Sequence, residues 1–186
     1  MVLILPYQGG GGMEYFEKEK PETSQNICSL DVQYEIKRAA IEDIDALTKL
    51  RIKVLRAANQ LPDDTDMSEV ERQSHGYYQK ALSDGSHIAY LAFDGTHFAG
   101  TGAVSFFRVM PTYHNPSGDK AYIMNMYTDP AYRRRGVAMK LLDLLVQDCK
   151  RKGITAISLE ATDMGRSLYE KYGFVRMEHE MELPET

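Results

Sequence analysis

The chain has 186 residues and a mass of 21.1 kDa, room for one compact domain and a modest appendage rather than two full domains. Hydrophobic residues make up 43% and charged residues 26%, which argues against collagen-like, disordered and membrane-embedded classes. The balance of 22 Lys and Arg against 27 Asp and Glu gives a net charge of −5, so there is no global field to gather nucleic acid or an anionic membrane, and any anion site must be local.

Residues 1–30 carry the run Gly9-Gly10-Gly11-Gly12 and the charged stretch Glu14 to Glu22 without a sustained hydrophobic period, which predicts an N-terminal extension ahead of a single domain over 31–186. Met13 follows the glycines and offers an alternative translation start. From Val32, the alternation of Val32, Tyr34 and Ile36 with polar residues predicts a half-buried strand. Ile44, Leu47, Leu50, Val54, Leu55 and Ala58 form one apolar stripe, predicting a helix over Ile41–Asn59 that ends before Pro62-Asp63-Asp64. Ser68-Glu69-Val70-Glu71 reads as a capping box that opens a second helix, to about Leu82.

Asp84-Gly85 marks a turn, and Ile88–Phe93 and Phe98–Phe107 flank Asp94-Gly95 as a hairpin. After a loop from Pro111 to Asp119, Ala121–Thr128 reads as a mostly apolar strand ending at Asp129-Pro130. Gly136–Lys152 sets Ala138, Leu141, Leu142, Leu145 and Cys149 on one helical face, with Lys150, Arg151 and Lys152 at the negative dipole end before Gly153. A short strand Ala156–Glu160, a short helix Met164–Tyr172 and a last strand Phe174–Leu183 complete the series, with Gly173 as punctuation.

The stretch Tyr132-Arg133-Arg134-Arg135-Gly136-Val137-Ala138 joins that apolar strand to the strongest helix pattern in the chain. A helix start presents unpaired amides and the positive dipole end, Gly136 and Ala138 give close access, and the arginines add forked donors suited to phosphate. A polyphosphate-bearing cofactor is implied. Solvated surface charge before an ordinary helix is the plainer alternative. No Walker pattern and no Gly-x-Gly-x-x-Gly after a strand occurs, so nucleotide hydrolysis and dinucleotide redox chemistry lose support. The triplet as a nucleic-acid contact lacks any interleaved aromatic and basic face.

The run Arg133-x-x-Gly136-x-Ala138 after the strand, followed by Leu168-Tyr169-Glu170-Lys171-Tyr172-Gly173-Phe174, resembles the acyl-CoA signature and the late helix-to-strand segment of the GNAT superfamily of N-acetyltransferases. The resemblance covers roughly residues 32–183. It implies a GNAT-like α/β (α+β) fold: a central mixed, mostly antiparallel sheet, splayed between two parallel strands and flanked by about four helices. Acetyl-CoA would then be the cosubstrate, its pantetheine arm on Met126, Tyr127 and Thr128. Its pyrophosphate would sit on the amides of Arg134, Arg135, Gly136, Val137 and Ala138, with Arg133, Arg134 or Arg135 available to the 3′-phosphate.

Tyr169 matches the family's general acid and would protonate the departing thiolate, where the alternative is a tyrosine packed in the core. Thr162 stands where many members have Asn reaching the pantetheine, a hydroxyl of shorter reach. Gly165 replaces a common Ala, which loosens the helix start. Counting back from Arg133 puts Tyr122 near the place of the family's strand carboxylate, and Ala121–Met126 holds no acid. Glu160 is the best remaining candidate for the base, acting directly or through water, with Asp163 next. A structural acceptor for loop amides is the equal alternative for Glu160.

The implied activity is direct acetyl transfer to a primary amine of a small molecule or peptide, with no covalent acyl-enzyme. A CoA-binding regulatory module without turnover is the rival. The acidic cluster Asp63, Asp64, Asp66, Glu69, Glu71 reads as a lure for a cationic amine or as helix-start electrostatics. His75, His87, His97, His114 and His179 lack metal-ligand spacing, and Cys28 and Cys149 form no Cys-x-x-Cys, so no metal is expected. Two cysteines and ten methionines suit a reducing compartment, predicting a cytoplasmic protein. No apolar run approaches the roughly 20 residues of a membrane span, and Met1–Leu5 lacks a basic flank, so neither a membrane partner nor a leader is expected. Exposed late strands would allow a homodimer.

Overall fold

Turn residues cut the chain into elements, and the hydrophobic period within each decides its type. The computed structural model describes residues 34–178 and 180–183. The N-terminal extension, the Met13 start and His179 lie outside the described residues. Strand β1 (Glu35–Arg38) is the part of the first expected strand that falls inside them, and Tyr34 just before it is buried. A 3₁₀ turn over Ile41–Asp43 leads into helix α1 (Ile44–Asn59). The Asp43 carboxylate closes that corner by accepting from Lys37 Nζ at 2.7 Å and from the Ala40 N–H at 2.9 Å.

Helix α1 stops at Gln60, whose φ of 53° is left-handed, two residues before the Pro62 that the sequence pointed to. Helix α2 (Ser68–Ser83) lacks the expected capping box. Ser68 is already helical, and its N–H is taken by the Asp66 carboxylate at 2.9 Å. The bond holds that carboxylate below its ordinary pKa. An aspartate two residues upstream reaches the first free amide, so the Ser68 hydroxyl is not needed there.

Strands β2 (His87–Asp94) and β3 (His97–Arg108) form the predicted hairpin, β4 (Asp119–Thr128) follows, and helix α3 (Val137–Arg151) connects it to β5 (Ala156–Leu159). Helix α4 (Asp163–Tyr172) ends at Gly173, φ 115°, as the sequence indicates. The five strands run in the order β1-β2-β3-β4-β5, antiparallel throughout except for the parallel pair β4 and β5.

Both faces of the sheet are covered, which is why β2 is buried over six consecutive residues. On one face Ile44 and Leu47 of α1 and Tyr78 of α2 pack against Ala89, Leu91 and Ala103. On the other, Leu141, Leu142, Leu145 and Cys149 of α3 pack with Tyr169 of α4 against Ile88, Tyr90, Val104 and Ile123. Leu141, Leu142 and Leu145 keep no exposed surface, each burial being worth about 2 kcal/mol.

One expected element is absent. Among the described residues, Phe174–Leu183 contains no strand. Phe174 is drawn into the core beside Tyr169 and Tyr172, after which Val175 is 86% and Met181 98% exposed. The alternating pattern alone is not enough: a strand exists only where it pairs with a neighbour, and among the described residues this segment pairs with none, although β5 ends the sheet with an open edge.

Candidate active site

The site begins where two strands part. The β4–β5 ladder runs only from Lys120↔Ala156 to Ile123↔Leu159. Beyond Ile123, β4 continues to Thr128 with β3 on one side and, among the described residues, no strand on the other. A bulge sharpens the divergence: Met124 pairs with Ala103 and Tyr127 with Thr101, so Asn125 and Met126 together face Gly102. Asn125 takes the left-handed φ of 54°, which asparagine tolerates better than most residues. Met126, Tyr127 and Thr128 therefore lie along an edge open to an extended ligand. The Tyr127 ring is occupied elsewhere, stacked on Phe98 with Lys53 Nζ 5.5 Å above it.

That edge runs into the basic turn. Asp129 accepts from the Ala131 N–H at 3.2 Å and opens a 3₁₀ turn over Pro130–Tyr132. Arg134 (φ 61°) and Gly136 (φ 84°) are both left-handed, so the chain turns back on itself twice before α3 starts. Gly136 is the N-cap, offers no side chain, and has nothing within 4 Å of where a Cβ would stand. The first amides of α3 thus face open space at the positive dipole end.

The three arginines differ. Arg133 Nε donates to the Thr128 carbonyl at 3.3 Å, and Arg135 lies 5.6 Å from the Tyr132 ring centroid. Arg134 makes neither contact, although all three are exposed. The Thr128 hydroxyl is buried without a hydrogen-bond partner among the described residues. Free amides, forked cations and an orphaned hydroxyl along one continuous path suit a long ligand with a polyphosphate end.

Tyr169 lies on α4, only 8% exposed, its ring edge-on to Phe174 at 6.1 Å. Burial pushes its phenol up from the ordinary value. Among the described residues no protein group bonds its hydroxyl, whereas Tyr172, one turn on, donates to Asp143 at 2.9 Å. Thr162 is the N-cap of α4, its hydroxyl accepting from the Gly165 N–H at 3.2 Å. Gly165 does more than loosen the helix start. A Cβ there would stand 3.2 Å from Tyr169 Cε2, so the glycine makes room for that ring.

Comparison with known proteins decides the family. The model of the acetyltransferase (GNAT) family matches residues 53–174. The chain belongs to the GNAT acetyltransferase family. A Clostridium acetobutylicum protein described as a predicted acetyltransferase, solved with acetyl-CoA, superposes with a TM-score of 0.75 at 31% identity, over 82% of this chain and 96% of that one. A GCN5-related N-acetyltransferase from Ralstonia eutropha JMP134 gives 0.72 at 24% identity over 82% and 98%, a likeness of fold. In sequence, the uncharacterized N-acetyltransferase YsnE of Bacillus subtilis is 31% identical over 90 residues, which span 46% of this chain and 54% of YsnE. The [ribosomal protein bS18]-alanine N-acetyltransferase of Escherichia coli K12 is 26% identical over 110 residues, 56% and 70% of the two chains.

Within this GNAT domain the remaining polar candidates are dispersed, with Glu160 and Tyr122 beside the β4–β5 ladder. Glu160 is exposed and follows Leu159, the last residue paired with β4. Tyr122 stands opposite Ser158, and its phenol is pushed up to about 12 by burial and then by the Glu160 carboxylate. Asp163 is engaged with Arg166 at 2.9 Å. The acidic cluster divides: Asp66 caps α2, and Glu69 pairs with Arg72 at 2.6 Å. Among the described residues no three potential metal ligands converge, and no helix is long and apolar enough to cross a membrane.

Three features escaped the sequence reading. Asn125 is 8% exposed and accepts from Arg51 Nη1 of α1 at 3.2 Å. His87 is 3% exposed, with Nδ1 3.0 Å from Ser105 Oγ and 3.1 Å from Tyr77 OH, and its pKa is pushed down to about 4 by burial and then by Arg51. Gly100 and Gly102 admit β4, since a Cβ at Gly100 would come 2.7 Å from the Tyr127 carbonyl oxygen. Glycines inside a strand pattern, and a lone asparagine in an apolar one, were the visible signals.

Proposed function

We propose that the chain catalyses direct transfer of an acetyl group from acetyl-CoA to a primary amine on a small molecule or peptide. Residues 31–186 form the catalytic domain, and residues 1–30 are an N-terminal extension to it. The observation that carries this reading is the open β4 edge over residues 124–128 leading, through the basic turn 129–135, to the uncapped, left-handed start of α3. Bound acetyl-CoA supplies the activated thioester.

The chain's own residues do the rest. The amides of Arg134 to Ala138 and the arginines Arg133, Arg134 and Arg135 bind the phosphates, and the backbone and Thr128 hydroxyl at 126–128 orient the arm. An N–H of that edge stabilises the charge that develops on the carbonyl oxygen. Glu160, directly or through an ordered water, takes the ammonium proton at the fork. Tyr169 holds its proton at neutral pH, because burial disfavours the phenolate, and returns it to sulfur.

The test is a thermal melt with and without millimolar acetyl-CoA, with ATP and NAD as controls, followed by a thiol-release screen across amines. A shift with acetyl-CoA and release with at least one amine supports the reading. No shift overturns it. A shift without release favours the CoA-binding module that lacks turnover.

A further inference from the structure

Arg51 projects from α1 to the β4 bulge, where its Nη1 donates to the side-chain oxygen of Asn125 at 3.2 Å. Among the described residues its remaining donors bond no protein acceptor. Seven ion pairs occur among the described residues and none includes Arg51, although it is half-buried. Of the neighbouring cations on α1, Lys49 is exposed to solvent, Lys53 pairs with Asp129 at 3.2 Å and lies over Tyr127, and Arg56 bonds the Pro62 and Thr65 carbonyls.

Two buried neutral groups stand near the Arg51 charge. His87 is one, its imidazole held uncharged, and the buried Tyr78 phenol is another. A half-buried guanidinium is costly unless a carboxylate or phosphate answers it, and its planar fork matches either. The position gives this charge a purpose. Helices α3 and α4 fill one face of the sheet and carry the phosphate cradle at the start of α3. A second substrate must therefore reach the fork from the α1 and α2 face, where Arg51 stands at the bulge.

We infer that Arg51, held by Asn125, is the docking point for an anionic group on the acceptor, so the amine substrate carries a carboxylate or phosphate rather than being a simple polyamine. The inference rests on the acetyltransferase reading above. The guanidinium anchors the anion and leaves the amine to reach the fork. A polycationic amine would meet an uncompensated positive charge at this point instead.

The test has a binding arm and a kinetic arm. In protein saturated with CoA, the Arg51 Nε–Hε resonance, assigned with Arg51→Lys, is followed while acetate, inorganic phosphate or methylammonium is added. Saturable movement with either anion and none with methylammonium is expected. Absence of movement with both anions overturns the inference. The kinetic arm compares glycine with glycinamide, and glucosamine-6-phosphate with glucosamine, which separates a carboxylate preference from a phosphate one.

Arg51→Met should raise KM for the preferred anionic amine by about 10- to 100-fold, leave its uncharged counterpart within about twofold, and preserve the acetyl-CoA thermal shift. Equal loss on both members of a pair, or wild-type preference for the uncharged member, overturns the inference. Anion binding without acetyl transfer to any amine leaves the anion site standing and removes the transferase reading, so the two failures are distinct.

Discussion

Tyr169→Phe isolates one oxygen atom. The tyrosine ring is 8% exposed and packed edge-on against Phe174, contacts that phenylalanine keeps, and the deleted hydroxyl has no protein partner among the described residues. Folding stability should therefore change by less than about 1 kcal/mol, and the acetyl-CoA thermal shift should persist. Loss of a general acid typically costs 10²- to 10⁴-fold, or about 3–5 kcal/mol of barrier, so kcat should fall by that factor with an amine found in the thiol-release screen.

The pH profile adds a second check on the same residue. An acid works only while protonated, and burial raises this phenol above its ordinary value of about 10, so wild-type turnover should show no loss from this group through pH 9. A kcat within twofold of wild type in Tyr169→Phe, with the protein folded and binding acetyl-CoA, would refute the assignment. Tyr172→Phe is the control: it removes the bond to Asp143 and should lower stability while sparing chemistry.

Gly136→Val places a β-branched residue at φ 84°, which costs about 1–2 kcal/mol of stability, and stands a side chain in the mouth of the cradle. Its acetyl-CoA thermal shift should disappear, and an unchanged shift would move the phosphates elsewhere. His87 has a folded pKa of about 4 against an ordinary 6.5, so the unfolded chain binds more protons between those values. Stability should be complete above pH 6.5 and fall toward pH 4 by up to about 3 kcal/mol, and urea melts of His87→Gln should show a flatter dependence. An identical slope in both proteins would contradict this. The Cys149 thiol is fully buried and pushed up to about 11, so in a Cys28→Ser background a thiol reagent should label it only on unfolding. Rapid labelling of the native protein would show that α3 opens.

The sequence alone determined much of what depends on local period and punctuation, although the Ser68 capping box and the first turn of the helix expected from Ile41 did not form as read. The stripe Leu141, Leu142, Leu145, Cys149 specified α3 and its buried face, Asp94-Gly95 the hairpin, and Gly173 the end of α4. Arg133 to Ala138, read in that context, marked the exposed basic turn and the uncapped start of α3, because a helix start announces its free amides through the residues beside it. What the tertiary structure decided involves partners distant in the chain. Whether Phe174–Leu183 becomes a strand depends on pairing with a distant segment, and among the described residues it pairs with none although β5 ends the sheet with an open edge. The parting of β4 from β5 after Ile123, the bulge at Asn125 and the approach of Arg51 across 74 positions arise from how layers pack, since a strand's own residues fix which face is apolar but not where its neighbour leaves it.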